Sequence, residues 1–422
     1  MKNVKAIFPF IAYGVSLLSV QGLIYVLQLG SASLNAPEVF GTIRTTESLA
    51  TILALCVTFG LPSTLLVQAR KGISLEDLQL TASACLAIVG SAFILLVLLA
   101  VVAVTALPIP MEYQTVLPLA LPLAGVIGLR LIFVTASQAQ QRFNELLIAS
   151  AGASLLCLVL FALCAVLGFA NVYTWYVPRL LLEILIVLRL TRVSFGPTIA
   201  HVFRPHALVG QHARRILGSA ISLGISMMFR SILDHGPILF AAAVGGAAIV
   251  AGEIGLIMTV CTIALIPTIT AQGVLIPRLI DAISGQRRIS YGKILAFLLA
   301  GALATAAIVN IGLVLLPFAV SWLAPFGWSI MVLCTIIVVA KMLAGASGGI
   351  LLAFRRNQTI LSINTATTTL GLICVAGLLW HGGPPTTLAI VQAVAAIELC
   401  GAFLYMLCIF AAMRSRQAHA GS

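Results

Sequence analysis

Ten ionisable side chains stand in passages that are otherwise apolar: Arg44, Glu47, Arg130, Arg179, Glu183, Arg230, Asp234, His235, Lys341 and Glu398. Their spacing sorts them. Arg44 and Glu47 are three apart, while Arg179/Glu183 and Arg230/Asp234 are four apart, so each pair shares one face of a helix. Such a pair either neutralises itself or works as a switch, and spacing leaves both readings open. Arg130 and Lys341 have no acid nearby on their own segments. Either they pair across helices, with Glu398 the obvious partner, or they await an anionic group. A guanidinium grips carboxylate or phosphate oxygens bidentately. Arg130 and Lys341 are therefore candidates for binding an anion, with Asp234, Glu183, Arg179, Glu47 and Glu398 as candidates for ion coupling or gating.

The solvent around these groups follows from composition. Of 422 residues, 61% are hydrophobic and 8% charged, with a mean hydropathy of +1.16. A soluble domain is about 25% charged. Apolar stretches long enough to span a bilayer recur from end to end, which makes this an all-α polytopic membrane protein. The first, from Phe8 to Gly30, is too long for the core of a signal peptide and lacks a small-residue cleavage site. In this setting each of these charges is costly, and faces a bundle interior or water.

Hydropathy predicts twelve helices, at about 8–30, 40–66, 79–106, 115–140, 146–168, 172–191, 216–243, 251–276, 291–316, 327–353, 358–379 and 387–411. The connections then alternate. One set carries Lys2 and Lys5, Arg70 and Lys71, Arg142, Arg192 to Arg215, Arg278 to Arg288, Arg355 and Arg356, and Arg414 and Arg416. The other set, around Ala36, Pro110, Ala170, Gly246, Pro325 and Gly383, has no Lys or Arg. By the positive-inside rule both termini are cytoplasmic. The net charge of +12 thus belongs to a membrane surface, and no nucleic-acid partner is needed.

A basic connection with Pro197, Pro205, His201, His206 and His212 divides the spans six and six. The expected organisation is an N-terminal lobe over 1–192, a cytoplasmic basic linker over 193–215 and a C-terminal lobe over 216–422. The halves echo each other in GTIRTTESLATILAL and GEIGLIMTVCTIALI, and in QAQQRFN and LAFRRNQ. Two six-span halves have the same orientation, so the repeat is parallel, and parallel halves normally enclose a site. In the seventh helix, MMFRSILDHGP places Arg230 about 20 Å from the helix start, and Gly236–Pro237 predicts a break at that depth.

Several chemistries are excluded. The nine cysteines form no C-x-x-C pair and no zinc-spaced cluster with His, so neither a metal nor another cofactor is expected. There is no P-loop and no nucleophile–base pairing. Outer connections are short, with Glu38, Glu112 and His381 their only acids or histidines, which disfavours a membrane glycosyltransferase or polymerase. The expected class is a transporter rather than an enzyme. A small-cation drug exporter would favour acidic intramembrane residues, whereas here bases slightly outnumber acids.

The stretch FGTIRTTESLATILALCVTFGLPSTLLVQARKG (40–72) resembles the second-helix region of Wzx-type polysaccharide and O-antigen flippases. These form a branch of the multidrug/oligosaccharidyl-lipid/polysaccharide exporter (MOP) superfamily. ASQAQQRFNELLIAS, GVLIPRLIDAISGQ and LLAFRRNQTILSINTATTTLGL agree, so the resemblance covers essentially the whole chain. It implies about twelve transmembrane helices in two six-helix lobes around a central cavity, in a bacterial cytoplasmic (inner) membrane. It also implies alternating-access transfer of a polyprenyl-diphosphate-linked oligosaccharide to the outer leaflet. The implied partners are that lipid-linked oligosaccharide, membrane lipids and polysaccharide-assembly proteins. By the same resemblance the cationic residues Arg44, Arg130, Arg230 and Lys341 would engage the headgroup, and neutral groups such as Gln138, Gln141, Ser48, Thr51, Asn310 and Asn364 would meet the sugars. A departure from some lipid flippases is the first helix, which has no Arg or Lys beyond Lys5.

Overall fold

A computed structural model describes residues 2–62, 64–65, 75–106, 111–195, 208–244, 248–265, 291–353, 356–380 and 386–420. Within these residues the chain is all-α, with twelve long helices in the places the hydropathy predicts. They are α1 (Lys2–Leu34), α2 (Pro37–Thr58), α3 (Leu75–Ala106), α4 (Met111–Ala139), α5 (Phe143–Val166) and α6 (Val172–Phe195), then α7 (Leu208–Ala243), α8 (Ala248–Ala264), α9 (Tyr291–Ala319), α10 (Trp328–Ala353), α11 (Asn357–Trp380) and α12 (Thr387–Ala420). Helices are what a bilayer permits, because each backbone N–H and C=O must find its partner within the segment.

Eight of the twelve are long and apolar enough to cross a membrane: α1, α3, α4, α5, α9, α10, α11 and α12. The α3 span is the most apolar, and it exposes Ile94, Leu95, Leu98, Leu99 and Val101 as a lipid-facing surface. The helices α2, α6 and α7 fall outside this group and carry Arg44/Glu47, Arg179/Glu183 and Arg230/Asp234. Five exposed aromatics sit at helix ends, Phe169 just before α6, Tyr173 in its first turn, Phe318 at the end of α9, Trp328 opening α10 and Trp380 closing α11, whereas Phe403 and Phe410 lie within α12. The five mark connections expected on the outer side, where a membrane interface favours amphipathic rings. The protein is a multi-pass integral membrane protein.

Contacts divide the chain into two compact units, Met1–Gly252 and Glu253–Ser422. In the first, α2 packs against α4 and α7, α1 against α5, and α6 against α4 and α5; α7 also contacts α3. The core includes Leu27, Ile43, Leu61, Leu123, Ile132, Trp175 and Leu182. In the second, α10 packs against α9 and α12, and α12 against α11, around Ala340, Leu351, Ile363, Ala402 and Tyr405. The pairs α9/α10, α10/α12 and α11/α12 reproduce α3/α4, α4/α6 and α5/α6 six helices on, the pattern a parallel repeat produces. Most of the basic connection, including His201, His206, Pro197 and Pro205, lies outside the described residues, as do Pro267 and Pro277.

Two local expectations are corrected. The helix predicted to run to 66 ends at Thr58: Phe59 adopts φ 41°, its N–H bonded to the Leu55 carbonyl at 2.8 Å, and Gly60 follows at φ +73°. Left-handed residues close a helix by satisfying its last carbonyls. Conversely, the Gly236–Pro237 break is absent, for α7 runs unbroken through Pro237. A proline deletes one backbone hydrogen bond, and packing against α2 and α3 holds the helix across that gap.

The Phe59–Gly60 turn meets α7 backbone to backbone. A Cβ on Gly224 would stand 2.6 Å from the Phe59 carbonyl oxygen, and one on Gly60 2.6 Å from the Gly224 nitrogen. Elsewhere, Asn171 caps α6, its Oδ1 accepting from the N–H groups of Tyr173 at 2.9 Å and Thr174 at 3.1 Å. That cap fixes the helix carrying Arg179 and Glu183.

Candidate functional site

The first unit gathers five of the ten intramembrane charges into one alternating row. Arg44 Nη1 meets Glu47 Oε2 at 2.5 Å, one helical turn along α2. Arg179 Nε on α6 stands 4.0 Å from the other Glu47 oxygen. Arg179 also pairs with Glu183 on its own helix, and Arg130 on α4 pairs with the second Glu183 oxygen. The sequence is thus Arg44, Glu47, Arg179, Glu183, Arg130, carried by α2, α6 and α4. Three guanidiniums face two carboxylates, leaving one excess positive charge.

Burial makes this arrangement consequential. Arg44, Glu47, Arg179 and Glu183 are all buried, and Glu183 is 0% exposed. The Arg130 side chain, at 17% exposure, is the open end of the row. Alternation is what permits such burial, because removing one partner strands the other in a low dielectric. Gln28 of α1 adds a neutral member, its Nε2 donating to Glu47 Oε2 at 2.5 Å. Beside Arg130, Gln138 and the Tyr13 hydroxyl of α1 form a polar neighbourhood.

Arg130 does pair across helices, with Glu183 rather than with the expected Glu398. Glu398 pairs instead with Lys341, at 3.6 Å, between α12 and α10 of the second unit. Both side chains are buried, at 2% and 6% exposure. The two pairs correspond. Glu183 is the eleventh residue after Val172, which opens α6, and Glu398 the eleventh after Thr387, which opens α12. Each meets a base on the helix two before its own. Aligning the sixth helix of each half would have exposed this match.

Other candidates are placed as follows. Arg230 Nη2 meets Asp234 Oδ1 at 3.3 Å on α7, with the side chains 30% and 34% exposed, making this the most open intramembrane pair. His235 Nδ1 lies 3.4 Å from Ser48 Oγ, tying α7 to α2 near the row. Thr51 hydrogen-bonds the Glu47 carbonyl, Asn310 donates to Thr335 Oγ1 at 2.9 Å, and Tyr405 donates to Asn364 Oδ1 at 2.9 Å. Gln141 takes φ 58° in the turn between α4 and α5. Sequence reasoning missed Gln28, whose polar type within an apolar helix was the available signal. Among the described residues no group of three His, Cys, Asp or Glu is placed to hold a metal ion.

No family model matches the chain, and no curated protein matches it by sequence. Solved structures do match in shape. A multidrug resistance MATE family transporter of the MOP superfamily, in an inward-facing conformation, is 14% identical, with 98% of this chain and 99% of that chain covered and a TM-score of 0.74. The eukaryotic MATE transporter AtDTX14 is 15% identical, with 96% of each chain covered and a TM-score of 0.72. A MOP superfamily transporter from Pyrococcus furiosus is 16% identical, with 97% and 95% covered and a TM-score of 0.61. At this identity the likeness speaks for the fold alone: the chain has the fold of these MATE and MOP superfamily structures.

Proposed function

We propose that the chain is a flippase, moving a polyprenyl-diphosphate-linked oligosaccharide from the cytoplasmic to the outer leaflet by alternating access. The observation that carries this reading is the excess arginine of the buried row, with Arg130 at its open end. A diphosphate is drawn to a row that is one charge positive and offers a partly exposed guanidinium. Arg130 and the partly exposed Arg230 make the first contacts with the phosphates, while Arg44 and Arg179 hold Glu47 and Glu183 behind them. Gln138 serves the first sugar hydroxyls. Lys341, held by Glu398, is the second unit's counterpart of Arg130.

Headgroup binding competes with the carboxylates for the same guanidiniums. It therefore loosens Arg130–Glu183 and Arg179–Glu183, and Arg230–Asp234 with them, and ion or proton exchange at Asp234, Glu183, Glu47 or Glu398 resets the carrier. The Pyrococcus furiosus transporter, for which reverse polarity of the binding pocket suggests a different function, is a precedent for a superfamily member built for other charges. The test is surface glycan in a strain dependent on this protein, comparing Arg130→Ala and Arg230→Ala at matched protein levels. Loss of glycan with accumulation of the lipid-linked precursor supports the reading; normal glycan in both removes these residues from the substrate site.

A second reading, ion-coupled export of small cations, is favoured by the fold likeness to multidrug resistance transporters and by Asp234, an acid with a 34% exposed side chain. It predicts that Asp234→Asn abolishes efflux of a cationic dye. The flippase reading predicts no dye efflux in either form.

A further inference from the structure

Buried polar atoms without a protein partner concentrate in the first unit; among the described residues only Asn310 Oδ1 lies in the second. Three of them form a line. Gln28, Ser31 and Asn35 are spaced by three and four, so they share one face of α1 and its end. They are 3%, 0% and 6% exposed, yet Gln28 Oε1, Ser31 Oγ and Asn35 Oδ1 each lack a hydrogen bond. The line ends on the charged row, where the Gln28 amide donates to Glu47. On α6, which packs against α1, Trp175 is 0% exposed and its indole N–H is unpartnered. By helical rise, Trp175 lies about 5 Å inside the α6 terminus and Ser31 about 6 Å from Asn35, the same depth.

An unsatisfied buried polar group is destabilising, and water is its ordinary relief when several such groups converge. An apolar void would stay dry, but this line offers three acceptors and, at its depth, an indole donor. We propose that the first unit holds a file of bound waters along the Gln28–Ser31–Asn35 face of α1, running from Asn35 to Glu47. The span is about 10 Å by helical rise, room for roughly three waters at hydrogen-bonding separation. The waters donate to the three orphaned oxygens, and the water nearest α6 accepts from the Trp175 indole. Their role rests on the proposed opening of the ion pairs: water takes the place of an arginine that leaves Glu47 or Glu183, so exchange proceeds without a bare carboxylate. The file itself is present without substrate.

The test is hydroxyl-radical footprinting of the full-length wild-type protein in lipid nanodiscs, generating radicals by radiolysis of water and reading oxidation by mass spectrometry. Phe40, 0% exposed on α2, is the dry control. Trp175 is expected to oxidise several-fold faster than Phe40 after correction for intrinsic ring reactivity. Equal protection of the two rings overturns the proposal. Ser31→Val and Asn35→Leu, which replace polar with apolar volume, are expected to lower Trp175 oxidation towards the control. Undiminished oxidation in both variants places the water elsewhere and overturns the α1 file. Neither readout requires transport, so failure of the flippase reading leaves this result standing on its own.

Discussion

Glu183→Gln is the most direct probe of the row, because this fully buried carboxylate serves both Arg130 and Arg179. The substitution keeps the shape and one acceptor oxygen but removes the charge. Three arginines would then face Glu47 alone, and the excess charge would rise from one to two. Breaking a buried pair by removing one partner costs about 3–5 kcal/mol. The retained amide oxygen restores about 1 kcal/mol as a hydrogen-bond acceptor, so a loss of about 3 kcal/mol is expected. That is about a hundredfold in the folded-to-unfolded ratio. The assay is reversible unfolding in mixed detergent micelles. Arg130→Gln alone should cost less, since Glu183 keeps Arg179. The double variant returns the row to one excess charge, and should be more stable than the sum of the single losses by about 2 kcal/mol, within the range for directly coupled residues. Strict additivity, or a Glu183→Gln protein as stable as wild type, would refute the view that alternation holds these charges in place.

The second unit's pair should behave likewise: Lys341→Met takes away the cation that Glu398 pairs with and is expected to destabilise by about 3 kcal/mol, while Lys341→Met with Glu398→Leu recovers most of it, measured in the same micelles. Gly224→Ala forces a Cβ to within 2.6 Å of the Phe59 carbonyl, a rigid backbone atom, and is expected to cost about 2 kcal/mol by overpacking. Gly30→Ala meets the Phe161 ring edge at the same distance, but the ring can swing aside, so its loss of thermal stability should be clearly smaller. Asn171→Ala removes the α6 cap and should cost about 1 kcal/mol, with amide exchange accelerated in the first turn of that helix only.

Much of this was legible in the sequence for simple reasons. Helix positions follow from apolar runs, because a bilayer turns hydropathy directly into structure, and the i,i+3 and i,i+4 pairs follow from the helical period. The links between helices were not legible. Nothing local to Arg130 points to Glu183 some fifty residues on, and nothing in Glu47 announces Gln28 and Arg179 as joint partners. Proline proved a poor guide: Pro237 reads as a break, yet tertiary packing carries α7 through it. The actual break lies at Phe59–Gly60, where a glycine followed by Leu61 and Pro62 was a signal available to be read.

The pairing pattern also bears on how the chain enters the membrane during synthesis. A lone basic or acidic residue at a helix centre costs about 3 kcal/mol on insertion scales. Arg44 and Glu47 arrive together, as do Arg179 and Glu183, so α2 and α6 each bring their own counter-charge to the translocon. Arg130 arrives alone on α4, and its partner is delivered only when α6 emerges. Until then its helix must snorkel or wait at the edge of the lipid. Lys341 and Glu398 repeat the delay on α10 and α12. Each run of six helices thus balances its lone mid-helix base only when its last helix arrives, and a chain interrupted before then carries an unmet cation.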